Sequence, residues 1–128
     1  MDIAITLPED LWLKIVSGEK SVEMRKWGLP RHFNLLLDRV YVVLKGTRKI
    51  VGNFQVVNVE SRIRKETSWL DYGKACCVPL DCFSKYWGDS CVMYFFEIGD
   101  CTILDRHVNM GVLHAPQKYI NIITNLKS

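Results

Sequence analysis

Ile3, Ile5 and Leu7 alternate with Ala4 and Thr6, the period of two expected of a half-buried strand. Pro8 then opens a helix, and Glu9 and Asp10 fall in its first turn, where the macrodipole favours anions. Leu11 and Ile15, with Trp12, give that helix an apolar stripe as far as Val16. Gly18 can take positive φ and close it. A second strand follows over residues 21–26, with Val22 and Met24 on one face and Ser21, Glu23 and Arg25 on the other. Gly28, Leu29 and Pro30 break it and open a loop through Asn34. Residues 39–45 are nearly all β-branched or aromatic and predict a buried strand. Gly46 and Thr47 turn the chain into a long strand over 49–60, where Gly52-Asn53 suggests a bulge or bend.

Beyond residue 60 the pattern turns helical. Thr67 is placed to cap a helix carrying Trp69, Leu70, Tyr72 and Ala75. Pro79 is placed to start a second, short helix through Trp87, with Gly88 just past its end. Residues 92–98 read as a strand, and 101–104 continue it or pair with it. Residues 110–123 predict loop followed by strand or a short helix. Five or six strands with two or three helices predict an α+β fold.

The chain has 128 residues, which suits one domain over residues 1–128. It has no repeat, linker or low-complexity tract. A hydrophobic content of 48% with 24% charged residues is an ordinary globular composition. The net charge of +3 permits a nucleic-acid partner without the strong bias of a duplex-DNA binder. No apolar run approaches the ~20 residues of a membrane helix, and acidic Asp2 argues against a secretory signal. The expectation is a cytoplasmic protein with no membrane partner. Cys76, Cys77, Cys82, Cys91 and Cys101 are odd in number, lack C-x-x-C spacing and have no neighbouring His. They are expected to be reduced thiols that bind no metal, and no cofactor is expected.

The most informative segment is Gly18-Glu19-Lys20-Ser21-Val22-Glu23-Met24-Arg25. Strand geometry puts Glu23 and Arg25 on one face, close enough to pair, with Lys20 at the strand mouth. The pattern Gly-x-Lys-x-x-Glu-x-Arg resembles the signature of the ASCH family, relatives of the PUA domain. His114-Ala115-Pro116-Gln117-Lys118-Tyr119 is similar to the Pro-Gln-Ser-aromatic tail of several ASCH proteins, with Lys118 in place of Ser. The resemblance implies a PUA-like small β-barrel flanked by helices. It also implies RNA, another single-stranded nucleic acid or a nucleoside-type ligand as partner.

In that reading Lys20, Glu23 and Arg25 line a charged cleft beside the motif strand, joined by Trp27, Arg64 and Gln117. Arg25 would hold phosphate or a base edge bidentately. Lys26-Trp27 and Arg64-Lys65 with Trp69 interleave aromatic rings with cations, which suits stacked bases beside phosphates. Lys45, Arg48 and Lys49 read as a solvated face. Some ASCH proteins are amidohydrolases acting on N4-acetylcytidine, and there Lys20 would be the base. However, Glu23 stands where that resemblance implies a Thr nucleophile, and Glu66 and Asp71 are the candidates for a downstream acid. A third reading is a protein-interaction module in which the motif only ties helix to barrel. His32, His107 and His114 are isolated and form no catalytic arrangement in sequence.

Overall fold

The alternating stretches become strands β1 (Ile3–Leu7), β2 (Val22–Arg25), β3 (Val40–Leu44), β4 (Lys49–Ile63) and β5 (Val92–Asn109). The helical stretches become α1 (Glu9–Ser17) and α2 (Glu66–Cys76). These elements come from a computed structural model that describes residues 2–63, 66–79 and 92–109. The strands form one mixed sheet in the order β1-β3-β4-β5-β2, with β1 parallel to β3 and every other pair antiparallel. The sheet curls into a half-barrel, so the fold is α+β. Its edge strands are β1 and β2, which flank α1 in sequence.

Alternation along β5 separates two cores. Phe96 joins Ile3, Ile5, Leu7, Val40, Val42, Val51, Phe54 and Val56 on the inner face, with Trp12 and Ile15 of α1 closing over them. Phe95 points the other way and packs with Val22, Met93 and Cys76, beneath Trp69 and Tyr72 of α2. Each buried large apolar side chain contributes about 1.5–3 kcal/mol, so these two clusters hold the helices to the sheet.

Local chemistry explains the boundaries. Gly18 closes α1 at φ 86°, with its N–H on the Ile15 carbonyl. Gly46 turns β3 into β4 at φ 82°. The predicted irregularity at Gly52 is present, since the β4–β5 register shifts between Ile50 and Gly52. A Cβ at Gly52 would meet the Thr102 carbonyl oxygen and, at 2.5 Å, Cζ2 of Trp12, so the indole seats on bare backbone. One expectation changes: α2 opens at Glu66, so Thr67 lies inside the helix. Of the two readings of 101–104, continuation holds, since the strand beginning at Val92 runs through Gly99 to Asn109 alongside the long β4. The expected helix from Pro79 to Trp87 and the elements expected over 110–123 fall mainly or wholly outside the described residues. Among the described residues no helix is long and apolar enough to cross a membrane.

Candidate functional site

The motif is pinned from three sides before its side chains act. The Lys20 N–H donates to the Lys14 carbonyl at the end of α1 (2.9 Å), and the Ser21 N–H donates to the Ala75 carbonyl at the end of α2 (2.9 Å). The Ser21 carbonyl accepts the Ile98 N–H of β5 (2.9 Å). The expected alternation holds in β2: Val22 and Met24 face α2, while Glu23 and Arg25 pair with Phe96 and Tyr94 on the inner face.

Lys20 turns inward. The spacing places it at the strand mouth within reach of a ligand, whereas its exposure is only 2%. Its Nζ donates to the carbonyl oxygens of Val22 (2.8 Å) and Cys76 (2.7 Å) and pairs with Glu23 Oε1 (3.1 Å). An ammonium has three N–H donors, and all three are matched here. Glu23, 4% exposed, spends its other oxygen on Arg25: Oε2 accepts from Nε at 2.9 Å and from Nη2 at 2.8 Å. Arg25 Nη2 also donates to the Thr6 carbonyl at 3.0 Å. Thr6 belongs to β1 and Arg25 to β2, so the guanidinium bridges the two edges of the sheet.

Two cations therefore share one buried carboxylate, and the surplus positive charge emerges at Arg25. Its side chain is 23% exposed, and Nη1 has no partner among the described residues. Arg25 Cζ lies 5.9 Å from the centroid of the Trp27 ring, within cation–π range. Trp27 is itself anchored by a tilted contact with Phe96 at 5.9 Å. The structure thus gathers Lys20, Glu23, Arg25 and Trp27 into one cluster. Arg64 and Gln117 lie outside the described residues.

Other charged groups are committed elsewhere. Arg62 donates to Glu60 Oε1 at 2.7 Å, contacts Asp71, and lies 5.1 Å over the Tyr72 ring. Tyr72 donates to Glu60 of β4 and stacks on Phe95 of β5 at 4.5 Å, which fastens α2 to both strands. Burial, with help from that hydrogen bond to Glu60, pushes the Tyr72 hydroxyl up to about 12. Asp71, a candidate acid in the hydrolase reading, is thereby paired with Arg62. Lys45, Arg48 and Lys49 are exposed, as expected of a solvated face. Trp69 packs into the second core.

Cys76, Cys77 and Cys101 are free thiols, while Cys82 and Cys91 lie outside the described residues. Burial pushes the Cys76 thiol up to about 12, and the nearby Lys20 offsets this only in part. The folded state therefore holds the thiol proton where the unfolded chain, near 9, has lost it. Stability from this group is complete below about pH 9 and is lost as pH rises from there toward 12. Peptide mapping after iodoacetamide treatment at pH 8 should show Cys76 unlabelled in native protein and labelled in urea. Labelling of native Cys76 at the rate of a free thiol would refute its burial.

Sequence reasoning missed two participants. Thr6 and Cys76 act through backbone carbonyls, which carry no side-chain signal.

The mixed five-stranded half-barrel with its two helices is the fold of ASCH proteins of known structure. Among solved structures, the chain is similar to the ASCH protein of Zymomonas mobilis, at 20% identity and a TM-score of 0.68 over 85% of this chain and 73% of that one. Two point variants of that protein match alike, one at 22% identity and TM-score 0.70 over 85% and 74%, the other at 20% and 0.69 over 85% and 76%. At these identities it is the ASCH fold that the chain shares with them. No protein-family model matches the sequence, and no curated protein matches it.

Proposed function

We propose that the chain binds RNA, or a nucleotide carrying a modified base, at the β1–β2 seam, with Arg25 as the contacting cation. The observation that carries this reading is the Arg25 guanidinium itself. Glu23 and Thr6 hold one edge of it, Nη1 has no partner among the described residues, and Cζ lies 5.9 Å from the Trp27 ring centroid. A pre-oriented planar cation next to an aromatic face suits a phosphate or base edge and a stacked base together. Lys20 and Glu23 serve as the support: burial of Lys20 beneath Glu23 fixes the carboxylate that aims Arg25. The ASCH fold, whose relatives are proposed to bind RNA, agrees with this reading.

Hydrolysis of an N4-acylated cytidine gains no comparable support. A base needs a hydroxyl nucleophile within hydrogen-bond reach, and the neighbours of Lys20 Nζ are two backbone carbonyls and a carboxylate. The test is titration of single-stranded RNA and of cytidine monophosphate into wild type and Arg25→Ala at two salt concentrations, with melting curves alongside. Loss of a charge-assisted contact, ~1.5–3 kcal/mol, should weaken binding roughly tenfold or more and flatten the salt dependence. Unchanged affinity in folded Arg25→Ala would sink the proposal. Release of acetate from N4-acetylcytidine by the wild type would restore the hydrolase.

A further inference from the structure

We infer that the site continues past Arg25 along the inner face, where Tyr94 and Ser61 receive a second nucleotide of a single-stranded RNA. This rests on the reading above and adds to it that the ligand is a segment of chain rather than a lone nucleotide.

Register carries the argument. Tyr94 of β5 lies opposite Arg25 of β2 and opposite Ser61 of β4. The three residues therefore form one row across three neighbouring strands, on the face that carries Trp27 and Phe96. At about 4.8 Å between strands, the row spans about 10 Å. The next pair along the same face is Ile63 opposite Val92, both large, apolar and exposed at 51% and 43%. Outward from the seam, the surface thus changes from a guanidinium to a phenol, a hydroxyl and apolar side chains. That sequence of groups suits bases and sugars better than phosphates.

Tyr94 is held for such a role. Its ring lies against Gly28, where a Cβ would come within 3.0 Å of Cε1, and it packs on the inner core. The ring is thus fixed, while its hydroxyl has no hydrogen-bond partner among the described residues. Tyr hydroxyls that are partly buried usually find one. The Ser61 hydroxyl, one strand over, is exposed and likewise unpartnered among the described residues. A half-open phenol and a neighbouring serine hydroxyl, neither with a hydrogen-bond partner among the described residues, thus lie in register with a cation already aimed. A base stacking there, with its edge or its 2′-hydroxyl on the two oxygens, would use all of them.

The experiment uses the full chain with cytidine monophosphate and with oligocytidylates of two and four nucleotides, as RNA and as DNA. Wild type should gain affinity from one nucleotide to two. Tyr94→Ala should remove that gain, a loss of roughly tenfold for the oligomers, and leave the monophosphate affinity and the salt slope unchanged. Tyr94→Phe keeps the ring and the fold, and should lower the preference for RNA over DNA. Equal affinity of wild type for one and for four nucleotides would overturn the inference. So would Tyr94→Ala and Tyr94→Phe proteins that bind every probe as wild type does. In either case an Arg25→Ala defect with the monophosphate would leave the seam site standing. If Arg25→Ala has no effect on any probe, the seam reading fails and this one fails with it.

Discussion

Lys20→Met should be the most damaging conservative substitution in the motif, lowering stability by about 3 kcal/mol in urea unfolding. Methionine nearly matches the volume, so cavity formation contributes little. What it removes is three donors. The carbonyls of Val22 and Cys76 lose their partner in a dry site, and Glu23 keeps only Arg25 as a counter-charge. Glu23→Gln should cost a similar amount, since it leaves a buried ammonium facing a neutral amide. The double variant Lys20→Met/Glu23→Leu should be less destabilised than the two single losses added together, because neither charge is then stranded. A Lys20→Met protein within about 0.5 kcal/mol of wild type would show that the ammonium is not pinned as described.

Gly52→Ala is the second large effect, although it adds a single methyl group. The new Cβ would meet a backbone oxygen and the Trp12 ring at once. Backbone cannot yield as a side-chain tip does, so α1 or the β4 bulge must move. Overpacking of this kind typically costs 1–3 kcal/mol, and the upper end, about 3 kcal/mol, is expected here. Adding Trp12→Leu should return part of the loss by vacating the ring's place, whereas Trp12→Leu alone should be destabilising. If Gly52→Ala melts with wild type, the seating of Trp12 on Gly52 is wrong.

Short-range physics made much of the fold legible in sequence. Ile3–Leu7, the Gly18 stop, the faces of Val22–Arg25 and the bend at Gly52 follow from period, φ and pairing rules that act within a few residues. The Glu23–Arg25 pair was readable for the same reason, being two residues apart on one strand. What escaped the sequence is set by contacts between distant elements. Lys20 reads as a surface cation because nothing nearby says that the end of α2 will offer it the Cys76 carbonyl, 56 residues away. Thr67 reads as a cap because its hydroxyl suits one, yet α2 begins a residue earlier. Strand order is likewise unreadable: β2 follows β1 and α1 directly, but finds its place at the far edge, on β5.

The contact between Arg25 and the Thr6 carbonyl also bears on how the protein behaves at high concentration. Edge strands with open hydrogen-bonding groups are templates for other chains, and half-barrels have two of them. Here the edges are turned toward one another, and a charged side chain from one occupies an outward carbonyl of the other. A cation at that position is also unwelcoming to an incoming neutral strand. The same guanidinium proposed to receive a ligand thus guards against strand addition and self-association. An affinity-enhancing redesign that drew Arg25 away from Thr6 would therefore exchange solubility for binding.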